Sequence, residues 1–326
     1  MRPFTYLRHD GTAPIASGSR FLAGGTTLID LMKLNVETPA AVVDLAALDL
    51  PGLREIVETE GGVRIGALVT MADAAEHSLI AGGYPLVAQS LTLAASQQLR
   101  NMATIGGNIL QRTRCPYFRD ISYASCNKRR PGSGCSARDG VNRMHAVLGT
   151  SDDCVAAYPG DFAQALIAVG GHVETARRGG TRRIPFAGFH RPVADGPHRE
   201  TVLAEDEIVT AVFLPAADFR RSLYLKVRDR ESYEFAAASA AVALTLDESG
   251  GVSDARIALG GVAYRPWRAP EAEQVLLGAG LTQARAGAAA EIAFRDARPL
   301  AHNGFKVALG KRTLVEALLR ARALEV

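Results

Sequence analysis

Residues 111–161 read QRTRCPYFRDISYASCNKRRPGSGCSARDGVNRMHAVLGTSDDCVAAYPGD and contain every cysteine of the chain: Cys115, Cys126, Cys135 and Cys154. The stretch has neither the two-residue period of a strand nor the 3.6-residue period of a helix. A loop this long without regular structure is uncommon inside a compact domain and is usually functional. Because no hydrophobic face holds it, we expect four thiolates gathered on one metal centre to do so.

The spacing of the cysteines is Cys-x10-Cys-x8-Cys-x18-Cys, which lacks the close C-x-x-C pair of zinc ribbons and fingers. Disulfides are an alternative with three pairings, but a chain with an ample core does not need such staples. Four unrelated buried thiols are another alternative, which the confinement of all four to one loop disfavours. Four cysteines are also the ligand set of an iron–sulfur cubane. The residues alone favour a cluster and leave zinc, disulfides and free thiols open.

Length and composition limit the class of protein. A chain of 326 residues predicts about two to three domains, and 48% apolar with 22% charged residues is ordinary for a globular protein. No apolar run approaches the ~18 residues of a membrane span. The N-terminal sequence MRPFTYLRHDGTAP lacks the apolar centre of a signal peptide. We therefore expect no membrane span, and either a cytoplasmic chain or one exported with a signal-bearing partner.

The charge is concentrated in the loop. Eight Lys or Arg residues and only two acids lie between Arg112 and Arg143, whereas the whole chain carries a net charge of +3. These cations either form a solvated surface or offset the negative charge of a thiolate-ligated cluster or of a nucleotide pyrophosphate. Few aromatic residues accompany them, so we predict no nucleic-acid binding.

Two glycine pairs flank helical patterns. AGGTTL at residues 23–28 precedes apolar residues at helical spacing, and ATIGGNI at residues 103–109 follows a helix predicted over residues 84–99. Paired glycines let the backbone turn sharply, and N–H groups at a helix start suit a phosphate. The threonines can cap the helix, and an ordinary turn and cap is the alternative interpretation. Neither motif is the G-x-G-x-x-G dinucleotide fingerprint.

We predict three consecutive units, at residues 1–56, 57–215 and 216–326, with the cysteine loop (residues 111–160) inside the second. In the last unit, strand patterns precede helical patterns, which indicates an α+β layer of antiparallel sheet with helices on one side. The strands are expected at residues 222–228, 235–246 and 254–260, and the helices at 270–278, 281–293 and 302–323.

Together, the motifs resemble the FAD-binding subunit of the xanthine oxidase family of molybdenum hydroxylases, over essentially the whole chain. The motifs are AGGTTL at 23–28, TIGGN at 104–108, Asp161 before an apolar helix, DEIV at 206–209 before a strand that ends at Pro215, and Lys226-x-Arg228. The resemblance implies a two-part FAD-binding domain of the PCMH type in residues 1–56 and 57–215. It implies a C-terminal α+β domain of the CO dehydrogenase flavoprotein type in residues 216–326.

Many such subunits run directly from the second glycine motif to the equivalent of Asp161. The inserted cysteine loop resembles the subset whose flavin subunit carries an extra [4Fe–4S] cluster, and it implies that the four cysteines are the cluster ligands. NILQR at 108–112, PGSGC at 131–135 and HAVLG at 145–149 are closer to the periplasmic aldehyde oxidoreductase type than to 4-hydroxybenzoyl-CoA reductase. His145 is either a neighbour of that cluster or a structural histidine.

The resemblance also implies how FAD is held. N–H groups of residues 24–28 would bind the pyrophosphate, Asp161 the ribose or flavin polyol, Ile208 the adenine, and Lys226 the isoalloxazine carbonyl edge. The residues expected to bind FAD are Leu22, Ala23, Gly24, Gly25, Thr26, Thr27, Leu28, Ile29, Thr104, Ile105, Gly107, Asn108, Gln111, Asp161, Ile208 and Lys226.

The implied function is electron transfer in a heterotrimer. A large subunit with a molybdopterin cofactor would oxidise an aldehyde, a small subunit with [2Fe–2S] clusters would pass the electrons on, and FAD here would deliver them to an external acceptor. A 4-hydroxybenzoyl-CoA reductase-like or other xanthine dehydrogenase-family flavin subunit is the first alternative, and a zinc-held docking module is the non-redox one. The aldehyde oxidoreductase type implies the periplasm, by co-export with a partner.

Overall fold

A computed structural model describes residues 1–8, 16–48, 50–216, 219 and 221–325; the other residues of the predicted units lie outside the described part. The first unit is a small sheet with the order β1-β3-β2, in which both pairs are parallel. Val42 and Val43 of the central strand are buried, because a strand covered on both faces tolerates no alternation of polar residues. The elements are β1 (Thr5–Arg8), β2 (Arg20–Leu22), α1 (Leu28–Lys33) and β3 (Ala41–Asp44).

The second unit places helices against an antiparallel five-stranded sheet with the order β4-β5-β8-β6-β7. Its strands are β4 (Ile56–Thr59), β5 (Gly62–Gly66), β6 (His172–Arg177), β7 (Gly180–Pro185) and β8 (Ile208–Pro215). Its helices are α2 (Met71–Glu76), α3 (Ser78–Gly83), α4 (Pro85–Thr92), α5 (Gln97–Arg100), α6 (Ile105–Ile109), α7 (Pro116–Arg119) and α8 (Phe162–Ala168).

The single helix predicted over residues 84–99 is wrong, because two helices, α4 and α5, occupy that stretch. Ala95 between them has a positive φ of 49°, which no α-helix accommodates. Ser96 then accepts a hydrogen bond from the N–H of Leu99 and caps α5. The apolar period continues across the break, so it conceals the turn.

The C-terminal unit confirms the predicted antiparallel sheet with helices. Its strand order is β12-β11-β10-β9, and successive residues of β10 face opposite sides. Val242 and Leu244 pack with the C-terminal helices, whereas Ala241 and Ala243 join the core of the second unit. The elements are β9 (Ser222–Val227), β10 (Ala238–Leu246), β11 (Val252–Gly260), β12 (Trp267–Arg268), α9 (Pro270–Leu276), α10 (Gln283–Ala293) and α11 (Phe305–Arg322).

The cysteine loop contains one short helix, α7, and is otherwise held by turns and side chains. Among the described residues, no helix combines the length and the apolar character needed to cross a membrane.

Candidate cofactor site

The two glycine motifs meet in space. A Cβ on Gly24 would lie 1.8 Å from the carbonyl oxygen of Met102, just before the second motif, so only glycine allows this approach. Gly25 has φ +72°, which also favours glycine. The carbonyl of Gly25 accepts the N–H of Ile29 at 3.1 Å and begins the turn into α1. Thr27 makes no side-chain capping bond, contrary to the expected cap.

The second motif is a capped helix start with an unsatisfied amide. Thr104 accepts a hydrogen bond from the N–H of Gly107 at 3.2 Å and caps α6. The Nδ2 of Asn108 lies 3.1 Å from Met71 Sδ, whereas its Oδ1 is buried and has no hydrogen-bond partner within the described chain. Buried polar groups are normally paired, so this oxygen fits a site completed by a bound molecule.

Asp161 and Lys226 form a buried ion pair. The Nζ of Lys226 lies 2.7 Å from Asp161 Oδ2 and donates to the carbonyl of Leu93 at 3.0 Å. Tyr224 donates to Asp161 Oδ1 at 2.6 Å. Asp161 is at the start of α8 without capping it. Burial raises the pKa of Asp161, which the Lys226 ammonium opposes.

The remaining predicted FAD contacts, Gln111 and Ile208, lie in the second unit. The Nε2 of Gln111 donates to the carbonyl of Asn108 at 3.0 Å. Ile208 is buried in the core at the start of β8. In the C-terminal unit, Arg228 of the Lys226-x-Arg228 motif donates to the carbonyl of Leu93, which Lys226 shares.

All four cysteines are free thiols and line one partly open cavity of about 280 Å³. Cys126 and Cys154 are buried, and Cys115 and Cys135 are partly buried. Within the described ranges, no three His, Cys, Asp or Glu side chains converge closely enough to hold a single metal ion. The cavity therefore gathers four thiols around a shared space, rather than around one point.

Apolar neighbours surround these thiols. Burial raises the pKa of Cys115 to about 12 and that of Cys154 to about 11. The Nε2 of His145 lies 3.1 Å from Cys115 Sγ, and burial lowers the pKa of His145 to about 4. The neutral imidazole can therefore donate one hydrogen bond to the sulfur.

Basic residues of the loop bind acids that lie elsewhere in the chain. Arg112 pairs with Glu37 and, at 3.1 Å, with Glu200. Lys128 reaches the same Glu200 at 2.6 Å and donates to the hydroxyl of Tyr264 at 3.1 Å. Arg112 and Lys128 therefore fasten the loop to the rest of the protein and are not part of a free cationic surface.

Sequence reasoning missed Tyr224 and Glu200. Tyr224 lies two residues before Lys226, on the same face of β9, but belongs to no recognisable motif. Its hydroxyl bond to Asp161 joins residues 63 positions apart. Glu200 lies in a Pro- and Gly-rich stretch with no periodic signal. Only the fold brings these residues to the site.

Comparison with known proteins gives the same assignment along the whole chain. The family model described as the FAD binding domain in molybdopterin dehydrogenase matches residues 10–217. The CO dehydrogenase flavoprotein C-terminal domain matches residues 223–324.

Three individual proteins are similar to this chain over most of its length. The chain is 46% identical to the aldehyde oxidoreductase FAD-binding subunit PaoB of Escherichia coli, over 99% of each chain. Its fold matches a chain of the carbon monoxide dehydrogenase structure from Hydrogenophaga pseudoflava with a TM-score of 0.76 and 27% identity, over 99% of this chain and 98% of that one. The nicotine 6-hydroxylase medium subunit of Paenarthrobacter nicotinovorans is 28% identical over 92% of this chain and 89% of its own length. The chain therefore belongs to the FAD-binding medium subunits of the xanthine oxidase family of molybdenum hydroxylases, and it is an oxidoreductase subunit.

Proposed function

We propose that this protein is the electron-transfer subunit of a heterotrimeric, molybdenum-containing aldehyde oxidoreductase, and that it binds one FAD and one [4Fe–4S] cluster. The observation that carries the proposal is the 46% identity to the E. coli aldehyde oxidoreductase FAD-binding subunit over the full length of both chains. Two other relatives, the nicotine 6-hydroxylase medium subunit and the carbon monoxide dehydrogenase medium chain, are named for different substrates and are only 28% and 29% identical.

In this proposal, the joined glycine motifs bind the pyrophosphate. N–H groups of residues 24–28 face it from one side, flanked by Leu22, Ala23 and Ile29, and residues 104–108 face it from the other. The close contact of Gly24 with Met102 supports a shared cradle, and the unpaired Oδ1 of Asn108 is an acceptor for a ribose hydroxyl.

Asp161 and Lys226 are assigned to the isoalloxazine end of FAD. An ammonium has three donors, of which Asp161 and the Leu93 carbonyl take two. We assign the third to a carbonyl of the isoalloxazine, where a nearby cation favours a reduced, anionic ring. Gln111 and Ile208 complete the contacts expected for FAD. The flavin supplies the ability to accept two electrons and release them singly.

Cys115, Cys126, Cys135 and Cys154 are the proposed cluster ligands. Their common cavity and apolar surroundings support this assignment, since a cubane uses four thiolates at separate corners. A molybdenum subunit would oxidise the aldehyde, and a [2Fe–2S] subunit would carry the two electrons to FAD for an external acceptor. We place the complex in the periplasm through a signal-bearing partner, on the strength of the sequence resemblance; fractionation of the native host tests that placement.

The test is a Cys126→Ser variant of the full chain, purified with its partners and with excess FAD. We expect iron and acid-labile sulfide to fall while flavin remains bound. The matched control is Ser122→Ala, an exposed residue of the same loop, which should change neither. Unaltered iron in Cys126→Ser, or no iron in the wild-type chain, would contradict the cluster assignment.

A further inference from the structure

We propose that the first part of the cysteine loop positions helix α1, and that loading of the cluster therefore tightens FAD binding. This inference rests on the proposed function, since it takes the cysteines as cluster ligands and the turn before α1 as part of the flavin site. The positioning residues are Asp30 and Leu31 on α1, and Phe118 and Arg119 on α7.

Helix α1 packs directly on the wall of the cysteine cavity. Leu31 and Phe118 are each 1% exposed and form one apolar cluster with Cys126, to which Val36 and Cys115 also contribute. Phe118 lines the cysteine cavity as well. The Phe118 side chain therefore contacts α1 and also lines the cavity of the thiols. Because interiors are close-packed, a change in the cavity is transmitted to Leu31.

Ion pairs fix the same two helices side by side. Arg119 binds Asp30 with both terminal nitrogens, at 2.6 Å to Oδ2 and 3.1 Å to Oδ1. Arg114, the neighbour of Cys115, reaches the same Oδ2 at 3.3 Å. A bidentate arginine–carboxylate pair restricts orientation as well as distance. The residues on both sides of the first cysteine are thus attached to α1.

The first unit is small, and its other described ties to the rest of the chain include the Arg112–Glu37 pair and the packing of Phe21 and Leu48 on the main core. Its sheet has three short strands, and Tyr6 and Leu7 of β1 remain exposed. A unit of this size buries too little apolar surface to be rigid alone. Helix α1 begins one residue after the Gly24–Thr27 turn, so a shift of α1 moves that turn relative to Met102 and the second motif.

Coupling of this kind is reciprocal and measurable. An occupied cluster would order α7, and α7 would hold α1 where FAD binds, so FAD would stabilise the cluster by the same factor. The dissociation constant of FAD is measured by flavin fluorescence on deflavinated full chain, with the cluster present and after its removal by chelation. Cys135→Ser gives a second cluster-free sample, because Cys135 lies outside the Leu31–Phe118 cluster.

We expect cluster removal to weaken FAD binding at least about fivefold, the lower end of common site-to-site couplings. In Asp30→Asn, FAD binding should already be weak and should respond less than twofold to cluster removal. Asp30→Glu keeps the carboxylate and should restore part of the response to cluster removal. If Asp30→Asn acted only through a general loss of stability, no such recovery would be expected. Glu174→Gln, which weakens the partly buried Arg64–Glu174 pair at 2.8 Å, is the control and should keep the full response.

An FAD affinity that is the same within twofold with and without the cluster would overturn the inference, even if both cofactors bind. Absence of flavin or iron from the wild-type chain would instead overturn the proposed function. An undiminished response in Asp30→Asn would also overturn the inference, because it would assign the coupling to other residues.

Discussion

The Nζ of Lys226 and the Oδ2 of Asp161 lie 2.7 Å apart, with the two side chains 1% and 5% exposed. Removing one member of a buried pair leaves an uncompensated charge, which typically costs about 3–5 kcal/mol. Lys226→Met should therefore lower the free energy of unfolding by about that amount in urea titrations, and should reduce flavin retention. Arg143→Gln is the control, because the Arg143–Asp229 pair is largely exposed and should contribute less than about 1 kcal/mol. An equal effect of the two variants would contradict the buried pair.

Gly24→Ala tests the junction of the two glycine motifs. Its Cβ would clash with the Met102 carbonyl, and overpacking of this kind costs about 1–3 kcal/mol. We expect loss of FAD at ordinary concentrations and a lower melting temperature by calorimetry. Gly82→Ala, in α3 with open space around its Cβ, should leave both unchanged. Normal FAD affinity in Gly24→Ala would separate this turn from the cofactor.

The lowered pKa of Glu200 predicts that the protein loses stability in acid. Burial alone would raise its pKa, but Lys128 and Arg112 outweigh burial and lower the pKa to about 2. Since the ordinary value is 4.5, the stabilisation is complete above about pH 4.5 and is lost as pH falls towards about 2. Unfolding free energies measured across that window should fall less steeply in Glu200→Gln than in wild type. The exposed Glu271→Gln should follow the wild-type slope.

Lys306 should make the stability of the protein depend on pH in the alkaline range. Burial, followed by the charge of Arg143, lowers the pKa of Lys306 to about 7. Its Nζ donates to the carbonyls of Met144 at 3.1 Å and Gly261 at 2.7 Å. Between about pH 7 and 10 the unfolded chain holds this proton more tightly, so stability rises with pH by up to about 1.4 kcal/mol per unit. Lys306→Met should lack that rise. A rise retained in the variant would assign it to another group.

Much of the fold is readable in the chain because the decisive signals are local. The strand-then-helix order of the C-terminal unit and the glycine pairs at 24–25 and 106–107 needed only neighbouring residues. The turn between α4 and α5 at Ala95 could not be predicted, because apolar residues continue through it at helical spacing. The Asp161–Lys226 pair and the attachment of Arg119 to Asp30 join residues 65 and 89 positions apart, and only the packed domain can bring these groups together.

We propose that one polypeptide carries both cofactors. Quantification of flavin, iron and acid-labile sulfide on the purified wild-type chain, after its partners are removed, decides whether it does. We expect about one FAD, about four irons and about four sulfides per chain, with flavin and iron–sulfur absorbance in the same species. A colourless chain, or one that holds a single zinc ion and no flavin, would contradict it.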